Sequence, residues 1–495
     1  MMYQSTRDPA HKKYSAAEVI KMGLAPDGGL FIPETIPALT AGEIDALCKD
    51  SYPVRAAKIL GKFLTDYTYE ELLSDCEAAY AETSFPGGAA PLVHVHDNIY
   101  SLELWHGPTA AFKDMALQIM PRLLSRALVK TGETRDALIL VATSGDTGKA
   151  ALEGYKDIDR IKIMVFYPVD GVSRVQKLQM ATQTGSNVNV CAIRGNFDDA
   201  QTGVKKIFGD QEMAAKLNER GYVLSSANSI NWGRLAPQIV YYVSAYCDLL
   251  NKSVIQMGET MDVCVPTGNF GNIFAGYIAK LMGLPIRHFV CASNQNNILT
   301  DFLRTGTYDR NRAFHLTMSP SMDILISSNL ERLLCLSAGE ERTADYMESL
   351  KNNGVYTVEA DVLAKIAENF SGYFANEQET AKTIKTYFEA YNYLADTHTA
   401  VALSCAEQYV AGLETEAIRP IVVDSTASPY KFAADVYESL GKTQPEDPLA
   451  ALDALSADTT TEIPYPLRGL GERTVRFTEV IDAKEMPAAV LNYCN

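Results

Sequence analysis

The stretch ALILVATSGDTGKAALEGYKDIDRIKIMVFYP, residues 137–168, decides how the rest of the chain is read. It opens on an apolar run, ALILVA, passes through the polar turn TSGDTG, enters a helical pattern from Lys149 to Tyr155, and closes on a second apolar run, IKIMVFYP. Two short β-rich runs joined by a helix form a βαβ unit, and such a unit demands a parallel sheet covered by helices.

Working outward, the same grammar recurs. IYSLELW (residues 99–105) reads as a strand, HGPTAA as its turn, and Phe112, Met115, Ala116, Ile119, Met120, Leu123 and Leu124 then fall at helical spacing. DVCV (262–265), the turn PTGNFGN, a helix from Ile273 to about Met282 and RHFVCAS (287–293) make another unit. IRPIVVDSTASP (418–429) is a late strand ending in a polar turn. The fold class expected is α/β, with open, mostly parallel twisted sheets flanked by helices. Four polar or glycine-rich turns follow strands, and in such sheets ligands bind at the carboxyl ends of strands.

Composition limits the function. The 495 residues are 47% hydrophobic and 21% charged, an ordinary globular balance with room for two or three domains. A net charge of −17 and a pI near 5.0 argue against nucleic acid or an anionic membrane as partner, since either needs a basic face. Nine scattered cysteines without a CxxC pair suggest reduced thiols in a cytoplasmic protein, and no metal site is expected. The N-terminus, MMYQSTRDPAHKKYS, lacks the apolar core of a targeting signal. Residues 441–464, rich in Asp, Pro, Ala and Thr, read as a solvated surface excursion.

Three turns carry chemistry. In PTGNFGN (266–272), glycines and asparagines before a helix allow several N–H groups to point at one spot, a nest suited to phosphate, although such a turn can also be merely tight. ATSGDTGKAA (142–151) resembles a Walker A loop only superficially, because Thr143 stands where Gly is required and Ala150 where Ser or Thr is. Its hydroxyls and helix-start amides suit a carboxylate or phosphate, and the same residues also cap a helix. In HGPTAAFKDMA (106–116), Lys113 sits among small and apolar residues directly after a turn, with Thr109 placed to touch a ligand. A lysine near two anion loops suggests Schiff-base chemistry with pyridoxal 5'-phosphate, because a semi-apolar surrounding lowers the amine's pKa.

Nine blocks run in order along the chain: YQSTRD (3–8), GLAPDGGLFIPE (23–34), FKDMALQ (112–118), ATSGDTG, RGNFDDAQ (194–201), NSINWGR (228–234), PTGNFGN, SPSMDILISSNLERLL (319–334) and STASPYKF (425–432). On these blocks the chain resembles, from end to end, the threonine synthase family, of the pyridoxal-phosphate fold type II, tryptophan-synthase-β-like superfamily.

The resemblance implies two open sheets and an additional N-terminal segment. The domain division expected is an N-terminal segment 1–97, a lysine region 98–135 packing with the large domain, a smaller α/β domain 136–245, a large cofactor domain 246–440 and a C-terminal extension 441–495. It implies Lys113 as the Schiff-base lysine and Gly268, Asn269, Phe270, Gly271 and Asn272 as the cofactor-phosphate loop. Thr426 is then the hydroxyl facing the pyridine nitrogen. Asp146 stands where many relatives have Asn near the ring hydroxyl, which makes its ionisation a question. For the substrate it implies Thr143, Ser144 and Thr147 at the carboxylate and part of the phosphate, with Asn196, Asn231, Arg234 and Lys149 completing the phosphate pocket. Arg234 is attractive because a guanidinium takes phosphate bidentately, though an arginine can equally bridge surface carboxylates.

The implied reaction converts O-phospho-L-homoserine and water to L-threonine and phosphate, in a monomer or homodimer. Alternatives are a dehydratase or β-replacing enzyme of the same fold, and a catalytically silent relative that binds the cofactor. Asn297, Thr397 and Ser428 depart from the family's usual Asp, Pro and His, and these departures touch a pocket rim.

Overall fold

The computed structural model describes residues 1–495 except Ser144 and Gly171. Its fifteen strands form four sheets. An antiparallel pair, β1 (Tyr3–Ser5) and β2 (Phe31–Pro33), opens the chain. The large sheet contains β3 (Leu92–His96), β4 (Ile99–Glu103), β9 (Met261–Pro266), β10 (Ile286–Ser293), β13 (Phe370–Phe374) and β14 (Ile421–Ser425). Its order is β13-β10-β9-β14-β4-β3, parallel throughout except for the antiparallel edge β3. The smaller sheet contains β5 (Asp136–Ala142), β6 (Ile161–Pro168), β7 (Val188–Arg194), β8 (Tyr222–Ser225) and β15 (Val480–Asp482), all parallel in the order β15-β7-β6-β5-β8. A short pair, β11 (Thr307–Asp309) with β12 (Val355–Thr357), lies in the helical insertion between β10 and β13.

Two open, mostly parallel sheets flanked by helices are thus present, as expected. The reason is visible in the strands themselves: every residue of β9 and of β14 is buried, which only a strand covered on both faces tolerates. The 137–168 stretch forms β5, the helix Asp146–Tyr155 and β6.

The N-terminal segment is mainly helical, and it docks through aromatic packing. Tyr3 and Phe63 meet Trp232 at ring-centroid distances of 5.5 and 5.7 Å. The fully buried Arg332 lies over the same indole and donates to the Phe31 and Ile230 carbonyls.

The C-terminal residues return to the smaller sheet. There β15 adds an edge strand, and Met486 and Val490 of the helix Met486–Tyr493 are buried against Leu138, Leu140 and Met164. Residues 441–464 differ from the expected surface excursion. They include the helix Ala450–Thr459, which buries Ala451, Leu452, Leu455 and Thr459. Its apolar residues are alanines and two leucines set between polar flanks, so the polar majority of residues 441–464 masked the spacing that folds it.

One close approach controls the site. Gly154 packs against the turn after Lys113 so tightly that an added Cβ would lie 1.8 Å from the Leu117 carbonyl oxygen. Gly154→Ala must push the helix Asp146–Tyr155 off the turn Asp114–Leu117, at a cost of about 3 kcal/mol of stability, read as a lower urea midpoint with an unchanged slope.

Candidate active site

The loops that follow β4, β5, β9 and β14 all leave the carboxyl ends of their strands. Leu104 N–H donates to Ser425 O, Phe112 N–H to Thr426 O at 2.8 Å, and Ser428 N–H to Ala110 O, so the loop carrying Lys113 is stitched to the loop carrying Thr426. Asp114, fully buried, accepts both the amide and the hydroxyl of Thr109 at 2.8 Å. Burial pushes the Asp114 carboxyl up to about 6 against those two bonds. Ala110 is held at φ +58, a strained conformation for a non-glycine residue, and the surrounding bonds account for its persistence.

Lys113 ends this loop with its side chain only 9% exposed. Its Nζ lies 3.6 Å from Asp146 Oδ2 and 3.5 Å from Ser321 Oγ. Burial pulls its ammonium down to about 8; Asp146 opposes the shift, while Lys431 and Arg234 add to it. A lysine so placed keeps a larger neutral, nucleophilic fraction near neutral pH than a solvated lysine does.

Asp146 is the hub. Its Oδ1 meets Lys431 Nζ at 3.0 Å and accepts from Gln176 at 2.8 Å. Burial alone would raise this carboxyl, but Lys431, Lys113 and Gln176 outweigh burial and hold it well below the ordinary carboxylate range. It is ionised. Lys431, fully buried, also donates to the Thr109 carbonyl at 2.8 Å. Lys431 is a functional candidate beyond those named from sequence: it lies inside STASPYKF beside aromatic residues, but its partner Asp146 is distant in the chain.

The PTGNFGN turn meets the requirements of a phosphate cradle. Its carbonyls are pulled backwards: Ser327 donates to Gly268 O at 2.6 Å, and both the amide and side chain of Asn329 donate to Asn269 O at 3.0 Å. The amides of residues 268–272 have no acceptor among the described residues. Phe270 adopts φ +62 to turn the chain into the helix Gly271–Leu281. A Cβ on Gly268 would lie 2.7 Å from Ser321 O, so only glycine fits there. The buried Thr426 hydroxyl makes no hydrogen bond to the described residues. Five free amides at a helix start, a free hydroxyl and a buried amine of lowered pKa fit pyridoxal phosphate.

The residues expected to bind substrate are disposed differently from one another. Thr143 accepts the Gly145 and Gly148 amides at 2.9 and 3.0 Å, while Thr147 is half-buried on the first turn of the helix. Ser144 lies outside the described residues. Lys149 is paired with Glu153 at 2.8 Å and donates to Gln183. Asn231 spends its side chain on Ile20 O and the Gly233 amide, both at 2.9 Å. Asn196 is exposed and caps the helix Phe197–Gly209.

Arg234 is the contrast. It is 6% exposed, donates to Ala227 O at 2.8 Å, and has no carboxylate within ion-pair distance among the described residues. Burial drags its guanidinium down to about 10. A buried arginine without an acid is costly, and an anionic ligand offsets that cost.

Family models match at residues 2–80 (threonine synthase N terminus), 84–423 (pyridoxal-phosphate dependent enzyme) and 399–490 (threonine synthase, C-terminal). Threonine synthase-like 1 of Homo sapiens is 41% identical over 436 residues, 86% of this chain, and the match spans 58% of that relative's length. Threonine synthase of Pseudomonas aeruginosa is 38% identical, with 87% of this chain and 89% of that protein covered. The crystal structure of pyridoxal-phosphate-bound threonine synthase from Brucella melitensis superposes with a TM-score of 0.87 at 37% identity over all of both chains.

The charges set a testable pH dependence. In the cofactor-free chain, acylation of Lys113 should titrate with a midpoint near pH 8. Asp146 favours the ammonium form, so Asp146→Asn should move the midpoint lower still; mass-spectrometric quantification of the labelled peptide against pH measures both.

Proposed function

Starting from the premise that this chain belongs to the threonine synthase family of pyridoxal-phosphate-dependent enzymes, we propose that it converts O-phospho-L-homoserine and water to L-threonine and phosphate. The observation that carries the substrate's phosphate is Arg234, buried beside the Lys113 region without a carboxylate to neutralise it.

Pyridoxal phosphate, when bound, supplies an aldehyde carbon that takes an amine covalently and a ring that draws electrons from the bonds at an amino acid's α carbon. Lys113 is the Schiff-base lysine in this reading, since desolvation keeps part of its amine neutral. The unpaired amides of Gly268, Asn269, Phe270, Gly271 and Asn272 would hold the cofactor's phosphate, and the buried Thr426 hydroxyl would serve its pyridine nitrogen. A neutral hydroxyl does not hold that nitrogen protonated as a carboxylate would, so more of the work falls on local proton transfers.

Lys113 does that work. With the cofactor bound, the Lys113 amine would accept and return protons at the substrate's α and β carbons. Lys431 holds the Asp146 carboxyl well below the ordinary carboxylate range and would offset its charge toward the cofactor's ring oxygen. Thr143 and Thr147, at the start of the helix Asp146–Tyr155, would take the substrate's carboxylate and part of its phosphate. Arg234 takes its phosphate and steadies the leaving group; Lys149, Asn196 and Asn231 would join only by giving up their present partners. In this reading the chain acts in the cytoplasm on a small molecule, as a monomer or homodimer. No helix among the described residues is long and apolar enough to cross a membrane.

The test supplies O-phospho-L-homoserine to the holoenzyme and measures threonine and phosphate together. One threonine per phosphate is expected; phosphate without threonine would overturn the assignment. Arg234→Met should lower kcat/KM about 100-fold, the scale of losing a bidentate charge-assisted contact, while the cofactor's absorption stays unchanged.

A further inference from the structure

We propose that Ser321 is a further residue of the Lys113 site, and that His398, fixed by Asp396, is the positioning residue that keeps it there. The inference rests on Lys113 being the reacting amine, as in the reading above, and on nothing about the substrate.

Ser321 lies on the short 3-10 turn Pro320–Met322, within the SPSMDILISSNLERLL block whose role the sequence left open. Its Oγ stands 3.5 Å from Lys113 Nζ and 3.5 Å from Asp146 Oδ2. The hydroxyl accepts from the lysine and donates to the carboxylate, so it passes part of the Asp146 charge to the Lys113 amine. Both distances are at the outer edge of hydrogen bonding, where a small displacement of the turn decides whether the contact exists.

Three arrangements hold the turn. The Ser321 carbonyl packs against the Cβ-less face of Gly268. At the turn's ends, Asp323 accepts Thr317 N–H at 3.0 Å and Asn294 Nδ2 at 2.8 Å. The backbone of Ser321 itself is held by one group: its N–H donates to His398 Nε2 at 3.1 Å.

That bond fixes the tautomer of His398. Nδ1 lies 2.7 Å from Asp396 Oδ2 and carries the proton, which leaves the Nε2 lone pair free to accept from Ser321. Asp396 is itself immobilised, fully buried at the start of the helix Thr397–Ala411 and accepting from the Thr399 amide and hydroxyl. The imidazole packs on the Phe432 ring at 4.8 Å, next in sequence to Lys431, and is 3% exposed. A histidine oriented through a carboxylate and spent on a single backbone amide is arranged for placement of that amide. His398 touches neither Lys113 nor Asp146; it acts through Ser321.

The experiment labels the full-length, cofactor-free chain with an amine-acylating reagent across pH and follows the Lys113 peptide by mass spectrometry, each variant normalised to its own high-pH plateau. Loss of the Ser321 hydroxyl removes an acceptor that favours the ammonium. Ser321→Ala should therefore lower the midpoint by about half a unit and speed normalised labelling at pH 7 about threefold. His398→Ala should do the same, and the double variant should do no more than either single one, because the two act as one unit. His398→Gln, whose side-chain oxygen can replace the Nε2 lone pair, should restore the original midpoint. An unchanged midpoint in Ser321→Ala, or additive shifts in the double variant, overturns the proposal. Should His398→Ala fail to fold, Ser321→Ala and His398→Gln still decide it. Labelling as expected from a chain that makes no threonine would reject the substrate assignment and leave this inference standing.

Discussion

A single carboxylate, Asp146, held ionised between two buried ammonium groups, is the interaction on which the site depends. Asp146 opens the helix that follows β5 of the smaller sheet; Lys113 and Lys431 come from the segments after two adjacent strands of the large one. The ion pairs therefore join the two sheets where their ligand-binding edges meet. They also leave a surplus of positive charge, because Arg234 is buried nearby with no acid of its own. A low-dielectric site with unspent cations favours anions, and this site has two places prepared for them: the amides of residues 268–272 and the Arg234 guanidinium.

The loop of residues 268–272 in turn depends on a layer behind it. Arg332 donates to the Asn329 side chain, and Asn329 holds the Asn269 carbonyl, which leaves the loop's amides unpaired. The same guanidinium holds the Phe31 carbonyl and packs on Trp232, which ties the N-terminal segment to that loop. The N-terminal segment is thus part of the site's support.

Much of this was legible in the chain. The βαβ grammar of residues 137–168 and 262–293 follows from period and turn chemistry, which are local. Lys113 and the PTGNFGN loop are each ambiguous alone, and they point to a ligand because a lysine among apolar residues occurs together with two anion-suited turns. Partner choice was not legible. Nothing in NSINWGR tells that Asn231 caps its own helix and bonds Ile20 O while Arg234 is left without a carboxylate; both facts come from distant segments. Lys431 escaped notice for the same reason, since its partner Asp146 lies far away in the chain. The ionisation of Asp146 was open from sequence because it depends on that lysine. In residues 441–464 a polar composition concealed a short helix whose buried side are small residues and two leucines.

The central claim, that this cleft holds two separate anions around Lys113, is tested most directly by a crystal structure of the chain with pyridoxal phosphate and a non-hydrolysable phosphonate analogue of O-phospho-L-homoserine. The account predicts the cofactor's phosphate on the amides of residues 268–272, its ring between Lys113 and Thr426, and the phosphonate on Arg234. A phosphonate bound elsewhere, with Arg234 still turned only to the Ala227 carbonyl, would contradict it.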